Sequence, residues 1–338
     1  MFSDFSICYL FCGGVGSGAL LAGSLVDIVH AVRWQRSGGV LAEQEPARCD
    51  AGDALARACA QTFLVGFGLV AFGIVCLWAD LGFSDRALLL FALLTRSLLT
   101  LGSFLLVFIV AAGTVPVLAG FFALGLPRRL VLAFEGLTAL AALPTMTYTG
   151  LLLFDISAVD FWTTPLVPLL FVLSSLSGGS AVLALSAYFA GADEGTEHLS
   201  DAFMFVDGGL VALEIVAAAL FAFLSLTGES ETARVSARAA FAFADERLSA
   251  VWLFCYFGCG LVLPGIVLAR AIRRRASAHP LAPSAFALVA VFVLVGSAGL
   301  RYGMVEAGQK AELAIGATTA PLIETYDWHD GAPIRLEE

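Results

Sequence analysis

Eight long apolar stretches, joined by mostly short polar connections, dominate the hydrophobic pattern of this chain. A helix needs about 20 apolar residues to cross the roughly 30 Å hydrocarbon core of a membrane. Each stretch is long enough to cross the membrane, and the core of a water-soluble protein does not accommodate eight such stretches in one chain. The pattern therefore predicts eight membrane-spanning helices near residues 5–29, 58–79, 87–112, 130–154, 165–190, 203–227, 250–269 and 281–309.

The composition supports the membrane class. Of 338 residues, 59% are hydrophobic and 14% are charged, and the mean hydropathy is +0.91. A soluble globular protein does not hide that much apolar surface. We expect an all-α integral membrane protein with one membrane domain over residues 1–310 and a polar tail over residues 311–338. Asp4 and the lack of a basic run before the first apolar stretch argue against a cleaved signal peptide.

The basic residues of the connections predict the orientation in the membrane. If the N-terminus faces outward, the inner connections hold ten basic residues and the outer side holds six. An inner excess is the usual orientation signal, although the acidic residues 193–201 weaken it. We expect both termini outside. The inner residues are Arg33, Arg36, Arg48, Arg57, Arg128, Arg129, Arg270, Arg273, Arg274 and Arg275, and the outer ones are Arg86, Arg234, Arg238, Arg247, Lys310 and Arg335.

Cysteine and histidine positions argue against a metal or haem group in this chain. Two cysteine pairs lie four residues apart within spans, Cys8 with Cys12 and Cys255 with Cys259. Thiolates from both helices are possible metal ligands, but no histidine accompanies them, and packing as small apolar side chains is favoured. Membrane haem b needs histidines facing each other inside the bundle. The four histidines do not supply such a pair.

A glycine-rich run from Gly13 to Gly18 superficially resembles a phosphate-binding loop. It lies inside an apolar helix with no preceding strand, so that interpretation fails its structural context. Small residues four apart, at Gly14 and Gly18, instead predict close packing against another helix in lipid. We expect the same of Gly178 and Gly179.

Charged side chains within the spans are the main functional clue. A charge in the hydrocarbon core costs roughly 2.5 to 3.5 kcal/mol on insertion scales, so such residues are functional candidates by default. Glu214 lies about 11 residues from either end of its predicted span, so we expect it to be protonated, paired or beside a hydrated cavity. Ordered by their depth in the spans, the carboxylates are expected to form a broken file across the bilayer, which is typical of proton relays. The candidate proton-pathway residues are Asp27, Glu135, Asp207, Glu214 and Glu306.

Structural roles are the alternative for several of these residues. Asp27 and Asp155 lie near span ends, where a charged side chain reaches the interface. For Arg301 and Glu306 the alternative is that they neutralise each other's charge or a charge on a neighbouring span.

Six segments in order along residues 9–309 resemble one known family, the NrfD-type membrane anchors of the polysulfide reductase group. The resemblance is most specific where Tyr148, Thr149 and Gly150 precede a Leu run. The six segments are Tyr9 to Gly14, Asp80 to Gly82, Tyr148 to Leu153, Phe161 to Phe171, Ser174 to Gly179, and Leu300 to Gln309.

The resemblance implies a haem-free, eight-helix anchor built as two four-helix bundles in the cytoplasmic membrane. Such anchors exchange electrons between a quinone pool, here menaquinone as substrate, and an iron–sulfur subunit. That subunit passes electrons to a molybdopterin catalytic subunit. The resemblance therefore implies that the chain is a non-catalytic or quinone-reactive subunit of a respiratory oxidoreductase. Proton translocation by the complex is a further possibility. We expect membrane lipid but no nucleic acid among its other partners.

The resemblance also implies a quinone site near the outer face among spans 1 to 4. Its candidate headgroup ligand is Tyr148. By position we add Asp80, Arg96, Asp155 and Arg301 as groups that support the headgroup ligand or exchange protons, and Tyr9 as a further candidate. Many relatives carry a histidine at the outer start of span 1, where this chain reads Asp-Phe-Ser-Ile-Cys-Tyr from position 4. Either Asp4, Ser6 or another span supplies that hydrogen bond, or quinone binding is altered.

Two outer polar segments, residues 228–249 and the tail around Trp328, suit an interface with the iron–sulfur partner, although a disordered tail is an alternative.

Two other functions also fit eight spans with buried carboxylates. One is a proton-coupled secondary transporter, but such proteins commonly contain inverted repeats, and none is evident here. The other is a purely structural anchor without a quinone site.

Overall fold

The computed structural model describes residues 3–36, 54–80, 98–121, 125–191, 194–275, 283–324, 326–329 and 332–335. Within them, eight helical segments are long and apolar enough to cross a membrane, which confirms the predicted all-α membrane domain. The helices are α1 (Asp4–Arg36), α2 (Ala54–Asp80), α3 (Leu98–Phe121), α4 (Arg128–Phe154), α5 (Leu166–Ala190), α6 (Glu194–Thr227), α7 (Glu231–Phe241), α8 (Glu246–Ala250), a π-helix (Val251–Val262), α9 (Leu263–Arg275) and α10 (Pro283–Glu324). Two short antiparallel strands, β1 (Tyr326–His329) and β2 (Ala332–Arg335), follow in the tail.

The eight spans form two four-helix bundles, as the resemblance implied. In the first bundle, α1 packs on α2, α2 on α3, α3 on α4, and α4 returns to α1. In the second bundle, α5, α6, the seventh span (α8, the π-helix and α9) and α10 close a similar ring. Helix α1 also packs along α5 and contacts α10. It therefore lies at the seam between the bundles and contacts both interiors.

Glycines bring the backbones of α1 and α5 into direct contact. A Cβ atom at Gly18 would overlap the carbonyl oxygen of Ser175, and one at Gly179 would overlap the backbone of Gly18. One turn earlier, a Cβ at Gly14 would lie 2.6 Å from the guanidinium of Arg301. Close approach of this kind is how small residues hold helices together in lipid. The predicted packing role of these glycines is confirmed.

Helix α3 ends later than the sequence pattern indicated. It continues to Phe121, past the predicted boundary at 112, and contains Pro116. A proline inside a spanning helix is tolerated because neighbouring helices and local adjustments satisfy the freed backbone groups. Residues 87–97 of the predicted third span lie outside the described residues.

The connection between spans 6 and 7, which was predicted as a docking segment, folds into α7 and α8. Ser230 caps α7 by accepting a hydrogen bond from the backbone of Ala233 at 3.2 Å. Ser230 and Thr232 both donate to Asp160 in the α4–α5 connection, at 2.6 and 2.7 Å. These two hydroxyl donors hold the pKa of Asp160 below its ordinary value. The connection is thus tied to its neighbour at the membrane surface.

We expect Asp160→Ala to speed amide exchange in α7 about two- to fivefold at neutral pH, because it removes an exposed acceptor of two hydrogen bonds. The folded-state pKa of Asp160 is lowered, so its stabilisation is complete above about pH 4 and is lost as pH falls through the folded value. Exchange corrected for intrinsic rates should therefore converge for both proteins in acid. Asp155→Ala, a nearby exposed carboxylate, is the control. A difference that persists unchanged in acid would contradict this role.

Candidate functional site

Two tyrosines from different helices meet in the interior of the first bundle. Tyr9 of α1 and Tyr148 of α4 are each 2% exposed, and their hydroxyls face each other. Neither hydroxyl makes a hydrogen bond to the described part of the chain. Leaving a buried polar group without a partner costs about 1–3 kcal/mol. The pair is therefore suited to a ligand that offers hydrogen-bonding oxygen atoms.

Glycines on three helices shape the space around this tyrosine pair. A Cβ at Gly102 of α3 would overlap the phenol ring of Tyr148. The ring of Tyr9 lies 3.5 Å from the Cβ position of Gly13 on α1 and 3.5 Å from that of Gly73 on α2. With Tyr148 on α4, all four helices of the first bundle fix the positions of the two rings.

Two other candidate quinone residues lie at exposed helix ends, and a third lies outside the described residues. Asp80, at the end of α2, is exposed and accepts hydrogen bonds from Ser3 and from Ser6, the latter at 2.6 Å. Asp155 is exposed at the end of α4, where its backbone N–H caps the helix. Arg96 lies outside the described residues. Geometry thus groups Tyr9 with Tyr148 and sets the two carboxylates at helix ends.

Three thiols lie next to the tyrosine pair. The sulfur atoms of Cys8 and Cys12 are 4.0 Å apart, and Cys76 of α2 interacts with Cys8. The Cβ position of Gly73 is 3.3 Å from Cys12 and 3.5 Å from the Tyr9 ring, which places this cluster against Tyr9. No group of three or more metal-ligating side chains with suitable geometry occurs among the described residues. The expected lack of a metal or haem stays a prediction.

Arg301 of α10 is fully buried where the two bundles meet. Its Nε donates to the backbone carbonyl of Leu10 in α1 at 3.0 Å. The guanidinium also lies 5.3 Å from the centre of the Phe171 ring. Its remaining hydrogen bonds go to three serines: Nη1 to Ser174 at 3.1 Å and to Ser297 at 2.7 Å, and Nη2 to Ser175 at 2.8 Å. The charge is held by neutral oxygen atoms on three helices.

Two carboxylates lie in the second bundle near Arg301. Glu214, which is 4% exposed, interacts electrostatically with Arg301, Tyr256 and Asp207. Asp207 is fully buried and accepts from Ser177 at 2.5 Å and from Ser180 at 3.1 Å. Oδ2 of Asp207 has no hydrogen-bond partner in the described structure. A buried intramembrane carboxylate of this kind is a functional candidate by default.

The π-helix directs Tyr256 towards Glu214. Trp252, Tyr256 and Gly260 lie on its buried face, and the Cβ position of Gly260 is 2.7 Å from the backbone of Gly296 in α10. The Tyr256 hydroxyl faces Glu214 but makes no hydrogen bond in the described structure. π-helical turns are rare and frequently mark functional sites.

The remaining carboxylates occupy two other places. Asp27 forms an ion pair with Arg128, and Glu135 lies 4.0 Å from the same guanidinium, at the end of the first bundle opposite the start of α1. Glu306 pairs with Lys310 at 3.7 Å. The sequence suggested one broken file of carboxylates, whereas the structure divides them between the bundles. The alternative pairing of Glu306 with Arg301 is replaced by the lysine contact.

Comparison with known families shows to which family this chain belongs. The chain matches the family model described as "Polysulphide reductase, NrfD" over residues 2–312. This chain belongs to the NrfD family. A search of curated proteins finds no match. The NrfD assignment confirms the resemblance inferred from the sequence and establishes a multi-pass membrane protein.

Several polar residues of this NrfD protein were missed by sequence reasoning. Tyr256 was overlooked because an α-helical period does not show which face of the π-helix is buried. Of the serines that bind Arg301 or Asp207, Ser174, Ser175 and Ser177 were noticed only as part of a family segment, and Ser180 and Ser297 were not noticed. Arg128 was counted solely as an orientation signal. The available signal was the run of serine hydroxyls inside one apolar span, because hydroxyls in a span are suited to bind buried charges.

Proposed function

We propose that this NrfD-family protein exchanges electrons between a membrane quinone and an iron–sulfur partner subunit, with the quinone headgroup held by Tyr9 and Tyr148. The observation that carries the proposal is the pair of buried hydroxyls without hydrogen-bond partners in the described structure. Quinone oxygens accept hydrogen bonds, and a phenol O–H is a suitable donor. The family generally supplies the membrane subunit that partners iron–sulfur and molybdopterin subunits.

The proposed reaction also needs an exit for protons. Oxidation of a quinol to a quinone releases two electrons and two protons, so the headgroup must lie near acceptors that reach water. Asp80 and Asp155 are exposed carboxylates at the ends of α2 and α4. Asp80 is also bonded to the start of α1, the helix that carries Tyr9. In this proposal they receive protons at the surface.

The second bundle supports a proton-handling role in addition to electron exchange. Glu214, Asp207 and Tyr256 are buried together, and because ionisable groups are costly to place inside a membrane, they are functional candidates by default. The ion pair of Asp27 with Arg128 offers a charged entrance at the opposite end of the first bundle. We propose that these groups carry protons within the cytoplasmic membrane.

The iron–sulfur partner is proposed to dock on the surface formed by α7, α8 and the α4–α5 connection. Hydrogen bonds from Ser230 and Thr232 to Asp160 make this surface preformed, and Asp245 holds Lys310 at 2.9 Å. A preformed, charged surface suits a specific and oriented contact. It borders the same end of the molecule at which α1 begins.

We expect Tyr148→Phe to reduce quinol-dependent reduction of the iron–sulfur partner about 10- to 100-fold, because one hydrogen bond to the headgroup is lost. The variant should fold at least as well as the native chain, since it removes a buried hydroxyl that has no protein partner. The measurement is reduction of the iron–sulfur centre by a menaquinol analogue in membranes containing the assembled complex.

Tyr188→Phe is the matched control, because Tyr188 is 45% exposed near the end of α5. It should leave the rate unchanged. Native rates in Tyr148→Phe would overturn the tyrosine site. Failure of the native complex to accept electrons from any quinol, combined with proton-coupled solute uptake, would instead favour the secondary transporter.

A further inference from the structure

Helix α1 presents two neighbouring positions to different bundles. Tyr9 and Gly13 lie on the side of the tyrosine pair, whereas Leu10 and Gly14 lie against Arg301. The positions differ by one residue, which is a rotation of about 100° around the helix. A displacement of α1 at Leu10 therefore moves the backbone that carries Tyr9.

Arg301 interacts with two kinds of group. One is a set of neutral oxygen atoms, including the Leu10 carbonyl at 3.0 Å and the Ser175 hydroxyl at 2.8 Å. The other is Glu214 of α6, which interacts with the guanidinium electrostatically, although the two form no direct ion pair in the described structure. A negative charge on Glu214 attracts the guanidinium, and neutralisation of Glu214 removes that attraction.

The groups around this arginine permit such competition. Helix α1 contributes the thiol of Cys12, α6 contributes Glu214, and the π-helix contributes Tyr256. Helix α5 faces Arg301 with serine hydroxyls, and Asp207 acts on Glu214 from one helical face of α6. Glu214 is therefore the carboxylate whose charge acts directly on Arg301 among the described residues.

We propose that Arg301 is a positioning residue that links the charge on Glu214 in the second bundle to the geometry of the tyrosine pair in the first. Protonation of Glu214 leaves Arg301 bonded to Leu10 and α1 in place. Ionisation of Glu214 draws the guanidinium away, loosens the Leu10 contact and shifts Tyr9 relative to Tyr148. Coupling between two sites is reciprocal, so a ligand that fixes the tyrosine pair changes the protonation of Glu214.

The inference rests on the proposed function only for the identity of the ligand, so it is tested first without quinone. In pH-difference infrared spectra of the purified native chain, the carboxyl band of Glu214 is assigned by its loss in Glu214→Gln. The phenol band of Tyr148 is assigned by its loss in Tyr148→Phe. We expect the phenol band to shift with the same midpoint as the carboxyl band. The phenol shift should disappear in Glu214→Gln.

Glu135→Gln is the matched control, because Glu135 is equally buried but belongs to the Asp27–Arg128 group. It should leave the Glu214-linked shift intact. Arg301→Lys keeps the charge but loses the planar set of donors, so it should retain the carboxyl titration and abolish the phenol shift. If Arg301→Lys does not accumulate, the Glu214→Gln comparison still decides whether the charge on Glu214 is linked to the tyrosine pair.

Binding of a menaquinone analogue supplies the second readout. Its affinity for the native chain should change at least about fivefold across the titration of Glu214 and become independent of that titration in Glu214→Gln. Independent phenol and carboxyl titrations would overturn the link, whatever the ligand. Coupled titrations without any binding of the analogue would support the link and refute the proposed quinone site alone.

Discussion

Gly18→Val is expected to reduce accumulation of the folded protein at least about tenfold, because overpacking against a rigid backbone costs more than the 1–3 kcal/mol typical of a crowded core. A side chain at Gly18 would overlap the carbonyl of Ser175, which belongs to the backbone of α5. The backbone of α5 has no rotamer with which to relieve the overlap. Helix α1 would separate from α5, and the contact between Arg301 and Leu10 would be lost.

Gly68→Val on α2 is the matched control for this prediction. Beyond its own stretch of helix, no atom of the described residues lies within 4 Å of the Cβ position of Gly68, so the same substitution should leave accumulation unchanged. Detergent extraction followed by size-exclusion chromatography measures the folded fraction of both variants. Equal folded fractions for the two variants would show that the α1–α5 contact is not needed for folding.

Gly102→Ala is expected to reduce quinol-dependent electron transfer about 10- to 100-fold while the protein still assembles. The new methyl group would overlap the phenol ring of Tyr148, so the ring or α3 must move. A displacement of about 1 Å at a reacting centre is enough for a loss of this size. The rate is measured with a menaquinol analogue in membranes containing the iron–sulfur partner.

Gly136→Ala controls for the effect of alanine in a spanning helix. Gly136 lies on α4, the helix of Tyr148, and its Cβ position has no neighbour within 4 Å from the rest of the described structure. It should retain the native rate. A native rate in Gly102→Ala as well would mean that the position of the Tyr148 ring does not control electron transfer.

The fold of the membrane domain could be predicted from sequence because lipid leaves few choices. Every backbone group in a span must be satisfied within the chain, so a long apolar run becomes a helix. The close packing of Gly18 against another helix was predictable for a related reason, since small residues four apart mark close helix contacts in lipid. The order of segments around Tyr148 and Arg301 then identified the family.

The site was predictable only in part. The family resemblance offered Tyr148 and position in the span added Tyr9, but nothing in the sequence indicated that their hydroxyls face each other, because that depends on how α1 and α4 cross. Sequence reasoning also joined the carboxylates into one file, whereas packing places Glu135 in the first bundle and Glu214 in the second. Depth along a span is readable from sequence, but the partner helix of a given face is not.

Contacts of Arg301 illustrate the same limit. Its burial in a span was evident from the sequence, and pairing with Glu306 was a reasonable alternative because the two lie on one helix. Glu306 instead pairs with Lys310, one turn further along α10. Arg301 points to α1 and α5, a choice set by the close approach of Gly14. Such choices depend on the tertiary fold.

Cross-linking with a photoreactive menaquinone analogue tests the central claim most directly, because it locates the headgroup on the chain without requiring electron transfer. We expect saturable labelling of α1 and α4 peptides that contain Tyr9 and Tyr148, with excess menaquinone competing and Gly102→Ala reducing the labelling. Labelling confined to the second bundle around Glu214, or no saturable labelling of the native protein, would contradict the account.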